Sequence, residues 1–317
     1  MAARRLRRLG RGILATLAVL AVLIVAVLAA GTLYTWNAER THRHHNAFTA
    51  DGIIVKAGTR EVTRGARHLV VLVHGFSASP MTMAPFLEAF RGTTDVDVWA
   101  PLLAFHGRSL ADFRRFDPAT IRDDLAARLA ERAEGYDEVT IIAHSFGGAV
   151  VADLLARRAL PEGARVILFA PALHIPANTR ANRLSLEAFR LFASYCDIAP
   201  IGCRVPDPDP GADDATRAAQ YAQTIFFYLV PDAVLALFDY ADVLAPMTAA
   251  ITAPIDIVMA KDDRSVDYAM TAQMCAAMRA CTMHALPKGG HLAQLGPEGP
   301  ALSALLVALA TGAGVAN

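Results

Sequence analysis

Hydrophobic and polar positions divide the chain into two unlike parts. From Gly12 to about Gly31 an apolar run carries no charge. At a helical rise of about 1.5 Å per residue, roughly 20 such residues cross a hydrocarbon core. Beyond a polar stretch, Thr35 to Asn46, the pattern changes to short apolar runs alternating with amphipathic segments. Leu69–Val73, Val96–Ala100, Val139–Ala143, Arg165–Ala170, Ile255–Ala260 and Thr282–Leu286 read as strands, several rich in β-branched residues. Such runs fit strands buried on both faces of a parallel sheet. Met81–Arg91, Ala119–Ala133, Gly147–Arg157, Val266–Met278 and Pro300–Leu309 read as the helices between them. Strand–helix alternation predicts an α/β fold: a mainly parallel sheet with helices on both faces, joined by right-handed crossovers.

The rhythm breaks once. Between about Ala172 and Ala253 no strand is evident. Helical pieces at Leu184–Tyr195 and Ala218–Val243 flank the turn-rich acidic stretch Pro206–Asp214. This predicts a helical cap inserted at about 172–253, over the strand ends where open α/β sheets bind ligands. The expected organisation is thus a transmembrane segment in 1–34, a linker in 35–50 and an α/β domain in 51–317. The linker's His42, His44 and His45 read as part of a solvated tether, since a fourth metal ligand is not evident.

Charge adds orientation. Lysines and arginines number 30 and so do the acids, so no global charge points to nucleic acid. Arg4, Arg5, Arg7, Arg8 and Arg11 precede the apolar run. Positive flanks stay in the cytoplasm, which puts the rest of the chain outside, membrane-anchored. A signal peptide cleaved near Ala29–Gly31 is the alternative, giving a secreted domain; the run is longer than a usual signal core of about 7–15 residues. The four cysteines fall into two close pairs, Cys196/Cys203 and Cys275/Cys281. In an exported protein these allow local disulfides, with the pairing open, and their spacing is not that of a zinc site.

The densest chemical signal is Ala143-His144-Ser145-Phe146-Gly147-Gly148, at the junction of a predicted strand and helix. Small residues on both sides of the serine permit the strained turn of a G-x-S-x-G elbow, with Ala143 replacing the first glycine. A second signal, His74-Gly75-Phe76-Ser77, ends an earlier strand. Asp262-Asp263-Arg264 and Lys288-Gly289-Gly290-His291 follow two later ones.

In this arrangement, from Arg67 to Leu309, the chain resembles serine hydrolases of the α/β-hydrolase fold, within them the carboxylesterase and monoacylglycerol-lipase branch. Leu102–Ser109 also resembles that branch's Gly-His-Gly-x-Ser loop, with Phe105 where a glycine is usual. The resemblance implies Ser145 as nucleophile, His291 as general base and Asp263 as the acid, with Asp262 an open alternative. It implies an oxyanion hole from the Phe76 and Phe146 amides, and no metal or organic cofactor. His74, His106, His144, His174 and His284 are assigned structural roles. The implied activity is hydrolysis of small-molecule esters. The apolar side chains of the insertion (Phe189, Leu191, Phe192, Phe226, Phe227, Tyr228, Leu237, Phe238) either line a lipid-like acyl site or form the cap's own core. Thioesterase, peptidase or acyltransferase chemistry shares this fold, and a non-catalytic binding member is a third reading.

Overall fold

The first element, α1 (Ala2–His45), is one unbroken helix of 44 residues. From Arg11 onward it is long and apolar enough to cross a membrane, and its most apolar window is fully exposed. The computed structural model describes residues 2–93, 95–197 and 213–312. The polar stretch expected as a tether is instead the last turns of α1. Ala38, His42 and Asn46, spaced four apart on one helical face, are buried. Of the histidines in this stretch, His42 gives its ring N–H to the Arg108 carbonyl at 3.0 Å, and no group of three or more histidines, cysteines or acids placed to hold a metal occurs among the described residues.

The sheet follows. Edge strand β1 (Arg60–Val62) and then β2 (His68–Val73) lead to α2 (Ala84–Arg91) and β3 (Val96–Ala100). Next come the short α3 (Leu110–Phe113), α4 (Pro118–Ala133), β4 (Glu138–His144), α5 (Phe146–Ala156) and β5 (Arg165–Phe169). Cap helices α6 (Arg180–Arg190), α7 (Asp214–Gln223) and α8 (Pro231–Met247) intervene before β6 (Ile255–Ala260), α9 (Tyr268–Ala277), β7 (Cys281–Leu286) and α10 (Gly299–Thr311). The seven-stranded sheet has the order β1-β3-β2-β4-β5-β6-β7. Only β1 is antiparallel, pairing with β3. Strand β1 escaped the hydrophobic pattern because three residues with a charge at each of the first two positions carry no run.

Strands β2 to β6 are the buried runs that the sequence predicts, because both faces are covered. Helices α2 and α10 pack together, as do α4 and α5. The insertion between β5 and β6 carries helices α6, α7 and α8 and no strand of the sheet among its described residues. The expected helix over Ala218–Val243 is two helices. Pro231, lacking an N–H, opens α8 at its first turn, and the chain before it is extended enough for Leu229 to pair with Cys196. The acidic stretch Pro206–Asp214 lies outside the described residues up to position 212; Asp213 caps α7 by accepting the Thr216 N–H at 2.7 Å. Cys275 and Cys281 form a disulfide joining α9 to β7, while Cys203 lies outside the described residues.

One buried carboxylate ties the cap to α5, the helix that follows Ser145. Asp153 of α5 is 1% exposed. It meets Arg157 at 2.6 Å and Arg122 of α4 at 3.3 Å, and it accepts the Tyr240 hydroxyl of α8 at 2.9 Å. Removing it leaves cationic groups without their partner, a loss of about 3–5 kcal/mol in comparable buried pairs. Asp153→Ala is expected to lower the unfolding free energy by that amount, seen by circular dichroism as a lower urea midpoint at unchanged m-value.

Candidate active site

Four chain segments bring functional groups to the C-terminal ends of neighbouring parallel strands. Ser145 follows central strand β4, the Phe76 turn follows β2, Asp263 follows β6 and His291 follows β7. Ser145 occupies φ 53°, ψ −119°, a region side chains avoid. Its backbone is held there from both sides: its N–H donates to the Phe169 carbonyl at 3.0 Å, and its own carbonyl accepts from Ala172 and Ala149 at 2.9 and 3.0 Å. The motif's small residues serve this turn. A Cβ at Gly147 would run into the His74 carbonyl and stand 2.8 Å from Val73 Cγ1. One at Gly75 would lie 3.0 Å from Ser145 Cβ, so the Phe76 turn presses directly on the serine. Helix α5 starts at Phe146, whose N–H has no intrahelical acceptor.

The side chains form a continuous relay. Ser145 Oγ lies 2.9 Å from His291 Nε2, and His291 Nδ1 lies 2.8 Å from Asp263 Oδ2. A carboxylate only accepts, so Nδ1 carries the hydrogen and Nε2 is free to accept the serine proton. Asp263 Oδ1 is satisfied by the Ser265 and Val266 amides at 2.8 and 3.1 Å. Burial pushes the Asp263 carboxyl up, but the facing imidazole, its N–H and those two amides outweigh burial and hold it below the usual carboxylate range. Asp262 points elsewhere, accepting the Gly290 and Gly289 amides at 3.0 and 3.4 Å. The geometry therefore joins Asp263, not Asp262, to His291; Asp262 shapes the glycine turn that carries the imidazole.

Ser145 and His291 are 8% and 9% exposed. Leu186, Val234, Leu235 and Phe238 form an apolar cluster that reaches Phe76 and Ile175. Of the insertion's aromatic residues, Phe238 thus packs in the cluster that meets the Phe76 side chain. Phe189 packs with Ala193 and Cys196 as the cap's own core, against Phe192 and Tyr34 of α1.

Residues 70–301 match the description "alpha/beta hydrolase family". The chain belongs to the alpha/beta hydrolase family. No curated protein matches it. Among solved structures, it is similar to a lipolytic enzyme from the metagenome-derived LipS and LipT, with TM-score 0.64 and 17% identity over 82% of this chain and 99% of that one. It is similar to a monoacylglycerol lipase of Paleococcus ferrophilus, with TM-score 0.60 and 17% identity over 80% and 98% of the two chains. An enol-lactonase of Burkholderia xenovorans gives 0.53 and 14% over 80% and 95%. At these identities the likeness establishes the fold.

Two histidines of this hydrolase fold support the site without being its base. His144 gives its Nε2–H to the His291 carbonyl at 3.0 Å. Burial, then the neighbouring imidazole, lower its pKa to about 3, so it is a neutral donor that fixes the backbone of residue 291. Strand alternation alone pointed this ring away from the elbow, without showing what it would meet. His74 donates from Nδ1 to the Gly75 carbonyl at 2.9 Å and accepts the Leu103 N–H at Nε2 at 3.1 Å. Phe105, where the resemblance expects glycine, adopts φ 66°, the conformation for which glycine is usual there. His284 of β7 bonds Asp256 at 2.7 Å, remote from the relay.

A methyl at position 147 overpacks this turn. Gly147→Ala is expected to cost about 1–3 kcal/mol, measurable by thermal unfolding. The depressed Asp263 carboxyl gives a signed pH effect. Its contribution to stability is full above the unfolded pKa of about 3.9 and is lost as pH falls through the lower folded value. A stability–pH curve should therefore fall more steeply on the acid side for the wild type than for Asp263→Asn.

Proposed function

We propose that this chain is a membrane-anchored hydrolase of carboxylic esters that works through an acyl-enzyme on Ser145. The observation that carries the reading is the unbroken relay from Ser145 through His291 to a shielded Asp263. As the serine oxygen bonds to the ester carbonyl carbon, His291 Nε2 takes its proton. The carbonyl oxygen becomes an oxyanion facing the Phe76 and Phe146 amides, donors worth about 3–4 kcal/mol each in comparable sites. Collapse breaks the bond to the alcohol, which leaves with the proton from the imidazolium. Water then attacks the acyl carbon as His291 accepts its proton. The acid departs and the serine regains its hydrogen. Asp263 keeps the imidazole in the productive tautomer and stabilises its cation.

The apolar cluster of Leu186, Val234, Leu235 and Phe238, packed on Phe76 beside the site, supports a substrate with an apolar acyl chain. Anchoring is supported by the exposed apolar span of α1 and by the arginines before it, which favour a catalytic domain outside the cytoplasm.

Labelling of the folded protein with a fluorophosphonate probe is expected to be abolished in Ser145→Ala. On p-nitrophenyl esters, Asp263→Asn should lower kcat by about 10⁴-fold, as the equivalent change does in a serine protease, while Asp262→Asn stays within a few-fold of wild type. Equal losses in the two aspartate variants would contradict the proposed acid.

A further inference from the structure

The polar end of α1 is gripped by the cap. Tyr34 bonds Asp197, Thr35 Oγ1 accepts the Ser194 N–H at 3.1 Å, and the Tyr195 hydroxyl donates to Glu39 at 2.9 Å. Further along, Asn46 donates to the Ile225 carbonyl at 3.3 Å, and His42 stacks on Phe226 with ring centroids 5.4 Å apart. No break separates this gripped part from the apolar span, since α1 runs as one helix to His45. The cap therefore has a fixed height relative to any bilayer that the span crosses.

That height is set by Gly31, at the end of the apolar run. Its backbone lies so close to Phe192 that a Cβ would collide with the Phe192 carbonyl. The neighbouring residue, Leu191, is 77% exposed. Leu184, also exposed, lies seven residues earlier, on the same helical face, with exposed Ala188 between them. Leu33 and Trp36 of α1 are exposed too, and Trp36 is about 7.5 Å beyond Gly31 along the helix axis. Arg40 sits over the Trp36 ring at 5.5 Å. Apolar side chains, then a tryptophan, then a cation, in order along one axis, match the layers from acyl chain to headgroup. In water this stripe would be an exposed apolar face; beside the end of a membrane span it meets lipid.

We infer that the Leu184–Ala188–Leu191 face of α6 is a bilayer-contact surface and that the ester reaching Ser145 is an amphiphile taken from the leaflet it touches. This rests on the anchored-hydrolase reading above. Helix α6 supplies the link. Its outer face carries Leu184 and Leu191, while Leu186 belongs to the apolar cluster packed on Phe76.

The test uses the full chain in phosphatidylcholine vesicles. A fluorophore on Leu191→Cys is expected to be quenched by nitroxide lipids and shielded from iodide. One on Glu134→Cys, at the turn before β4 on the opposite end of the sheet, should show the reverse. Iodide access at position 191 equal to that at 134 overturns the surface. In a second arm, the Leu184→Asp, Leu191→Asp double variant should keep its rate on soluble p-nitrophenyl acetate and lose about tenfold on a long-chain glycerol ester embedded in the vesicles. Equal rates of variant and wild type on the embedded ester overturn the substrate source. A wild type inert toward both esters overturns the hydrolase reading instead. The quenching arm, which needs no turnover, then decides the surface alone.

Discussion

The backbone of Ser145, held in a conformation that costs about 1–3 kcal/mol, is the constraint that organises this molecule. A turn of that kind persists only when its surroundings over-determine it. Here β5 holds it through the Phe169 carbonyl, α5 begins directly beneath it, and the Phe76 turn closes against its Cβ. The same packing aims the hydroxyl at His291 and leaves the helix-start amide of Phe146 unclaimed. Strain, hydroxyl orientation and a free donor are consequences of one tight junction between a strand and a helix.

Around that junction, support comes in concentric form. His144 fixes the backbone of the residue that carries the imidazole, and burial keeps it uncharged, so it adds no competing cation beside the relay. Asp263 is isolated from solvent and satisfied on both oxygens, three times over. Asp153 lies on the far side of α5, where it binds two guanidinium groups and the cap's Tyr240. The cap is thereby fastened to the same helix whose first residue follows the serine.

Much of this was legible in the sequence, for physical reasons. Strands buried on both faces leave uninterrupted apolar runs, so β2 to β6 were found; β7 was found too, although it is an edge strand with none of its residues buried, and β1 was missed because an edge strand of three residues, Arg60–Val62, needs no such run. The elbow was legible because Gly147 and Gly148 are demanded by backbone packing, and Ser145 and His291 stand where the chain order of the fold places them. The choice between Asp262 and Asp263 was not, since adjacent acids in one turn differ only in which way the backbone carries them. The last turns of α1 were also hidden. A polar composition suggested a tether, yet every fourth residue from Ala38 to Asn46 turns inward, and the partners of His42 and Asn46 include Arg108, 66 positions from His42, and Ile225, 179 positions from Asn46.

That separation has a bearing on when the protein becomes competent. Asn46 meets Ile225 across 179 residues, and Ser145 meets His291 across 146. Contacts spanning such distances must close large loops, and they form late during folding. The hydroxyl of Ser145 therefore acquires its imidazole partner only after the chain has been synthesised past residue 291. A nascent chain that has emerged only as far as the cap carries the serine without the base proposed for it, a built-in delay before the relay can form.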